Sequence, residues 1–337
     1  MHPKLKSLDE QVVVITGASS GIGLTTARMA ADRGARLVLA ARDEGALRSL
    51  AQQLSRGGAE VEYVVADVAN EDDVKAIADK AISVFGRIDT WVNNAGVTIY
   101  GRLVDVPESD SRRLFDTNFW GVVNGSQVAL MHMRSNGGSI INIGSVLSDR
   151  AIPLQGMYCA TKHAVKGFTD AFRMEVEEEG IPISVTLIKP AAIDTPYPEH
   201  GRNYLGVAPR QPGPVYDPTV AAKAILYAAE HPVRDLYAGG GAKAFAASGR
   251  VVPRVTDKVM ERRMFTAQRT DRPGPTASDS LFVPGRNLRE RGGHDGHVMK
   301  RSLYTDLATH PLALAFLASI AALGALLAGR RLATRRA

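Results

Sequence analysis

Residues 11–23, QVVVITGASSGIG, decide the reading of this chain. The first half, residues 11–16, is an unbroken apolar and β-branched run, the pattern of a strand buried on both faces of a parallel sheet. The second half places Gly17, Gly21 and Gly23 within seven positions, and a helical pattern follows through residue 33. Glycines at a strand-to-helix turn let the backbone turn tightly and approach a pyrophosphate, which the free N–H groups of the helix N-terminus then face. An ordinary βα turn would use the same residues, and G-x-x-x-G-x-G departs from the standard dinucleotide fingerprint G-x-G-x-x-G.

Working outward, the alternation continues. Residues 36–40 read as a second strand, 43–56 as a helix, 61–66 as a third strand ending at Asp67, 71–85 as a helix capped by Asn70, and 88–93 as a fourth strand. Residues 101–136 hold two helices, including a long one through Asn118. Residues 139–144 form a fifth strand that delivers Ser145. Residues 156–179 and 217–231 are helices, and 183–188 and 235–238 are the last strands. Such alternation implies right-handed βαβ units: fold class α/β, a doubly wound parallel sheet of about seven strands, plus a C-terminal linker and hydrophobic helix. Ligands on such sheets sit at the carboxyl ends of the strands where the strand order reverses. The small, amide-rich Asn93-Asn94-Ala95-Gly96 after strand four suits a cofactor cleft, although taken alone it is a turn.

Tyr158 and Lys162 are one helical turn apart and share a face. A free phenol has a pKa near 10. An ammonium beside it favours the phenolate, so the expectation is a Tyr158 pKa drawn down by Lys162. Ser145 would hold a substrate oxygen against that phenol, a site for moving a proton on or off an alcohol or carbonyl oxygen.

These residues together resemble the classical short-chain dehydrogenase/reductase family. The match comprises Thr16-Gly17-x-x-x-Gly21-Ile22-Gly23, Asp67, Asn93-Asn94-Ala95-Gly96, Asn118, Ser145 and Tyr158-x-x-x-Lys162, over about residues 8–242. The resemblance implies a Rossmann-like fold and a role for each residue. Gly17, Ser19, Ser20, Gly21, Ile22 and Gly23 would hold the cofactor pyrophosphate. Asp67, with the Val68 backbone nearby, would bond the adenine amino group. Asn93, Asn94, Ala95 and Gly96 would line the adenosine ribose and the strand-four floor. Lys162 would also bond the nicotinamide ribose. Asn118 would kink its helix and hold a proton-relay water; the alternative is a buried amide that satisfies a backbone group. Pro190, Ile193 and Thr195 would hold the nicotinamide carboxamide. The family's Pro-Gly pair is here Pro190-Ala191, which costs energy if that position needs positive φ. Pairing through the helices of Asn118 and Tyr158 implies a homodimer or homotetramer.

The end of strand two bears on cofactor choice. An acid there would bond the adenosine 2′-hydroxyl and repel a 2′-phosphate. The sequence reads Leu39-Ala40-Ala41-Arg42-Asp43, so Ala41 stands where the acid is sought and Arg42 offers a permanently charged fork for phosphate. NADP(H) is therefore expected over NAD(H), with Ser19 adding a hydroxyl; NAD(H) stays open because Asp43 is adjacent.

Hydrophobic content of 45% and charge content of 23% are globular values. The single cysteine, Cys159, excludes an intrachain disulfide framework, and the polar residues 1–10 carry no expected signal peptide. Residues 250–337 hold 16 Lys/Arg against 7 Asp/Glu, so the net charge of +6 resides in the tail. No base-reading motif accompanies it, and no nucleic-acid partner is expected. Residues 196–218, rich in proline and glycine, read as a substrate lid with Tyr197, Tyr204, Leu205 and Val207 as pocket candidates. Residues 243–265 read as a basic amphipathic helical extension and 266–310 as a flexible linker. His294 and His297 lack companion ligands, so no metal site is expected.

Residues 311–329, PLALAFLASIAALGALLAG, carry no charge and would reach roughly 28 Å as a helix, near the hydrocarbon thickness of a bilayer. They are expected to insert into membrane lipid. Arg330, Arg331, Arg335 and Arg336 favour a cytoplasmic tip, as does a catalytic domain that meets cytoplasmic cofactor, so spanning and lying in the interface both stay open.

The sequence reading is thus a membrane-associated, cytoplasm-facing NADP(H)-dependent oxidoreductase interconverting a carbonyl and an alcohol on a small lipophilic substrate. Asn118, Ser145, Tyr158 and Lys162 are its catalytic set. An NAD(H)-dependent alcohol dehydrogenase and a catalytically silent cofactor-binding regulator are the alternatives.

Overall fold

The computed structural model describes residues 3–274, 279–285 and 288–310. Seven strands form one parallel sheet: β1 (Val12–Thr16), β2 (Arg36–Ala41), β3 (Val61–Val65), β4 (Thr90–Asn93), β5 (Gly138–Ile143), β6 (Ile183–Pro190) and β7 (Asp235–Ala238). Their order is β7-β6-β5-β4-β1-β2-β3, and every neighbouring pair is parallel. The order reverses between β1 and β4, which opens a crevice at their carboxyl ends.

The α-helices of eight residues or more among the described residues are α1 (Gly21–Ala31), α2 (Glu44–Arg56), α3 (Glu71–Phe85), α4 (Glu108–Phe115), α5 (Gly121–Met133), α6 (Gly156–Glu178), α7 (Pro218–Glu230), α8 (Gly240–Val251) and α9 (Pro253–Ala267). β1 shows why the fold is doubly wound. Val13 and Ile15 pack with Leu24 of α1 and Ile225 of α7 on one face. Val12 and Val14 pack with Ile77 of α3 and Val128 of α5 on the other. Asp43 and Asn70 open α2 and α3 by accepting the Ala46 and Asp72 amides, at 3.1 and 2.9 Å. The strands and helices expected from sequence through residue 238 appear with ends displaced by two residues or fewer.

Three features differ from expectation. Residues 243–265 are not one helix: Pro253 starts a new one, α9, at a position where its missing N–H costs nothing. The stretch 266–310, expected as a flexible linker, is packed against the domain in its described residues. Arg269–Pro273 pairs antiparallel with Val207–Pro209, and Val298–Met299 pairs parallel with Val215–Tyr216. Leu281 and Gln268 are wholly buried. Two-residue pairings and single anchors leave no periodicity in so polar a stretch, which is why its composition reads as linker. The hydrophobic segment 311–329 lies outside the described residues; among those described, no helix is long and apolar enough to cross a membrane.

A buried amide network ties β4 to the neighbouring strand and helix. Asn93 accepts from the Trp91 indole at 2.7 Å and donates to Asn142 of β5 at 2.8 Å and to Ser126 of α5 at 3.1 Å. Gly125 makes room for it: a Cβ there would lie 2.1 Å from Asn93 Oδ1. Gly125→Ala gains up to about 1 kcal/mol of helix propensity. Overpacking costs about 1–3 kcal/mol, and a displaced buried amide about 1–3 more. The variant should therefore melt several degrees lower by calorimetry, and a native melting temperature would remove this network from the core.

Candidate active site

Strand ends and the glycine turn build one cleft. Asn94, just past β4, donates its side-chain amide to the carbonyls of Thr16 and Gly17 at 2.9 and 3.1 Å. The Thr16 hydroxyl accepts the Asn94 and Ala95 amides at 3.0 and 3.1 Å. Gly17 and Gly21 have φ of 66° and 53°, and a Cβ on Gly23 would lie 2.2 Å from the Gly17 carbonyl oxygen. Glycine is thus required both for the turn and for the close approach of α1.

The cleft wall carries Gly17, Ser19, Ser20, Gly21 and Ile22 from the turn, Arg42 from just past β2, and Asp67 and Val68 from just past β3. Asn94, Ala95 and Gly96 form its floor, and Pro190, Ile193 and Thr195 its far side. Gly23 packs behind the wall. Ala191 does not have positive φ; among the described residues Leu154 alone of the non-glycines does, so the alanine carries no such strain.

Ser145, Tyr158 and Lys162 meet at one end. Tyr158 is hydrogen-bonded to Ser145 and to Tyr197, whose ring lies edge-on at 5.9 Å. Ser145 caps the following turn, its hydroxyl accepting the Leu147 amide at 3.0 Å. Lys162 Nζ lies 5.8 Å from the Tyr158 ring centre and donates to the Ile143 carbonyl at 2.7 Å. Asn118 occupies a single π turn, Asp116–Trp120, between α4 and α5. Its Oδ1 accepts the Val97 amide at 2.8 Å, and its Nδ2 donates to the Val97 carbonyl at 2.9 Å and to Thr161 at 3.2 Å.

The family model for short chain dehydrogenases matches residues 11–203. The chain is 48% identical over 332 residues to the uncharacterized oxidoreductase YxnA of Bacillus subtilis, spanning 97% of this chain and 93% of that one. It belongs to the short-chain dehydrogenase/reductase family. Among solved structures it is similar to a Burkholderia phymatum member in complex with NAD, at 28% identity and TM-score 0.67, covering 81% of this chain and 100% of that one. It is also similar to an alcohol dehydrogenase from the archaeon Thermococcus sibiricus complexed with 5-hydroxy-NADP, at 28% identity and TM-score 0.60, covering 67% and 95%. The chain is an oxidoreductase of this type.

Electrostatics at this family's tyrosine corrects one expectation. Burial pushes the Tyr158 phenol up to about 12, against the lowering effect of its bonds to Tyr197 and Ser145. The expected depression by Lys162 is not what sets it: burial dominates, and the ammonium is turned to the Ile143 carbonyl. The same burial lowers Lys162 to about 8. At neutral pH the phenol is therefore a proton donor and Lys162 is charged.

The cleft fits a nicotinamide dinucleotide. A Cβ would fill the glycine cradle, and buried polar atoms without a partner among the described residues stand on its wall: Thr117 Oγ1, His200 Nε2, Gln211 Oε1 and Ser280 Oγ. Such atoms call for ligand or water partners. Two expected contacts have other partners. The Gly21 amide donates to the Arg289 carbonyl at 2.9 Å. Arg42 donates to the carbonyls of Ser280 and Leu281. Sequence reading missed Arg113, which pairs with Asp67, and the contribution of Ser280, Pro284, Gly285 and Arg289. Arg113 lies one turn before Thr117, so helical spacing could have found it; nothing local marks Ser280.

The two shifted groups set the pH dependence of kcat/KM for carbonyl reduction. It should be level below about pH 8 and fall above it as Lys162 discharges, while the phenol stays protonated to about 12. Lys162→Arg keeps its charge, so in that variant the limb should move upward. A limb left near 8 would take Lys162 out of it.

Proposed function

We propose that the protein reduces lipophilic carbonyl compounds with NADP(H), and oxidises the corresponding alcohols in reverse. The observation that carries this reading is the position of Tyr158 and Ser145 on the boundary between the polar cleft and a second cavity of about 310 Å³. That cavity is walled by Leu147, Ile152, Phe245, Met260 and Met264, with Gln155 as a polar handle. An apolar chamber with a few convergent polar groups suits a hydrophobic body bearing one reactive oxygen. Tyr197, the expected pocket residue, touches the phenol, whereas Tyr204 is held away by a 2.6 Å bond to Asp110.

The chain's own groups supply placement and the proton. Ser145 and Tyr158 hold the substrate oxygen, and Tyr158 donates its proton to that oxygen as the carbonyl becomes an alcohol. The nicotinamide, when bound, supplies or accepts the hydride. Lys162 holds the ribose and keeps a positive charge beneath the phenol. Asn118 has both N–H groups and one lone pair committed, leaving the second lone pair of Oδ1. A Cβ on Gly96 would lie 3.4 Å from that oxygen and 3.9 Å from Lys162 Nζ, so the two face the same space. Asn118 thereby serves proton resupply through Lys162. The NADP(H) preference rests on Arg42, with Arg113 beside it and a single carboxylate, Asp67, between them. The cluster carries an unbalanced positive charge that suits a 2′-phosphate.

The protein is further proposed to act as a homodimer or homotetramer and to associate with membrane lipid, its catalytic domain facing the cytoplasm. Trp120, Met131 and Met174 stand exposed near the surfaces of α5 and α6, which supports pairing there. Exposed Val251, Val255 and Val259, interspersed with Arg254, Lys258 and Arg262, support a lipid-facing surface together with the sequence of 311–329. Light scattering at one chain mass would remove the first extension, and a full chain that fails to float with anionic vesicles would remove the second.

A panel of lipophilic and polar carbonyls with both cofactors tests the central reading. Turnover should favour lipophilic ketones with NADPH and fall about a hundredfold or more in Tyr158→Phe. Arg42→Ala should raise the KM for NADPH about tenfold and that for NADH by about threefold or less, the part due to a loosened 279–285 segment. NADH preference unmoved by Arg42→Ala would support the NAD(H) alternative. Tight NADPH binding without turnover of any carbonyl would support the silent regulator.

A further inference from the structure

The catalytic unit that the family model matches ends at residue 203, yet the adenosine end of its cleft is walled by chain from far beyond it. Residues 279–285 bridge the cleft and are bonded on both banks. On one bank, Arg42 at the end of β2 donates Nη1 to the Leu281 carbonyl at 3.3 Å and Nη2 to the Ser280 carbonyl. Arg113 of α4 donates Nε to the same Leu281 carbonyl at 3.1 Å and Nη2 to Asp67. On the other bank, the Ser280 amide donates to the His200 carbonyl at 2.8 Å, and Asp279 pairs with Arg202 at 2.6 Å. Phe282 lies against the same Arg202 guanidinium, 5.6 Å from ring centre to carbon. Leu281 itself is wholly buried beside Val97, Ile99 and Leu114.

The inner side of this bridge presents unspent hydrogen-bonding capacity. Ser280 is 6% exposed, and its hydroxyl has no partner among the described residues. His200 Nε2 is likewise without one, and both line the cleft. Gly285 brings them together: a Cβ there would lie 2.6 Å from Ser280 Oγ and 3.3 Å from His200 Nε2. Burial pushes His200 down, so near neutrality its ring is uncharged and can donate or accept.

We propose that residues 279–285 are a cofactor-binding element, the outer wall of the adenosine half of the site. Ser280 Oγ and His200 Nε2 bond the ribose-phosphate portion of an adenine dinucleotide. Arg113 is a positioning residue that locks this wall to Asp67. The wall is fastened on both banks, and a bound dinucleotide would add its bonds to Ser280 and His200 to those fastenings, so loosening the wall speeds release more than it changes capture. The proposal rests on the reading of the cleft as a dinucleotide site.

The test uses the full chain with NADPH and, as a probe of the adenosine half alone, 2′,5′-ADP. Ser280→Ala should weaken both by about three- to tenfold in calorimetry, the loss of one hydrogen bond. Arg113→Lys keeps the charge and loses the fork, and Leu281→Ala removes the anchor. Both should speed NADPH dissociation about tenfold in stopped-flow displacement, with association changed about threefold or less. In steady state, the loss in Arg113→Lys should fall on the cofactor KM rather than on kcat. Saturating NADPH should slow hydrogen exchange at the Ser280 and Leu281 amides of the native chain. Dissociation within about twofold of native in folded Arg113→Lys, or exchange unaffected by cofactor, overturns the proposal even if Leu281→Ala fails to fold. Native protein that binds neither NADPH nor NADH overturns the functional reading itself; tight native binding with native release from the variants removes the bridge alone.

Discussion

Everything in the site depends on how closely the glycine turn can approach the end of β4. The Asn94 carboxamide spans the gap by donating to two successive carbonyls of the turn, Thr16 and Gly17. A Cβ on Gly23 would stand 2.5 Å from that same carboxamide nitrogen, so any side chain there would separate the two strands' ends. With β1 and β4 sewn together, the crevice has a fixed width, and β5 and α6 follow in register. Ser145 stands two residues past the end of β5, and Tyr158 in the first turn of α6. The catalytic geometry is thus a consequence of strand-end spacing rather than of contacts among the catalytic groups.

Burial then decides the chemistry. Taking a phenol and an ammonium out of water penalises the charged form of each, which drives one pKa up and the other down. The result is a protonated tyrosine above a lysine close to its own midpoint. In a site of this kind, attraction between neighbours is the smaller influence and desolvation the larger one. Tyr197 moderates it from the substrate side, where its own hydroxyl is anchored on the Val97 carbonyl at 2.9 Å. That carbonyl also accepts from Asn118. One backbone group therefore aligns both the residue behind the phenol and the residue in front of it.

The sequence made the central sheet legible because each strand carries its own signal. β1 is a continuous apolar run, Asp43 and Asn70 cap in place, and Tyr158 and Lys162 declare their shared face by spacing alone. Local pattern also singled out residues that the fold brings to one cleft. It misjudged the phenol, because depth of burial is a property of the assembled core and no motif encodes it. It misread 266–310 for a related reason. Leu281 opens a short apolar triplet in a polar stretch, and its importance arises from a hole lined by Val97 and Ile99 after β4, Leu114 of α4 and Cys159 of α6, which other parts of the chain create.

The chain after β7 walls both cavities: Phe245, Met260 and Met264 line the apolar one, and Ser280 and Gly285 the polar cleft. Magnitudes indicate how firmly the second wall is held. Ordering the seven backbone residues 279–285 costs about 7–14 kcal/mol. Burying Leu281 returns about 2–3 kcal/mol. Hydrogen bonds with a charged partner contribute about 1.5–3 kcal/mol each, and Arg42 and Arg113 supply three of them beside the Asp279–Arg202 ion pair. The two sides balance to within a few kcal/mol. A segment so poised can open without disturbing the sheet, which a wall across the cleft must do for a dinucleotide to pass. Contacts added by a ligand beneath it would tip the balance toward closure, so occupancy and closure of the cleft become the same event.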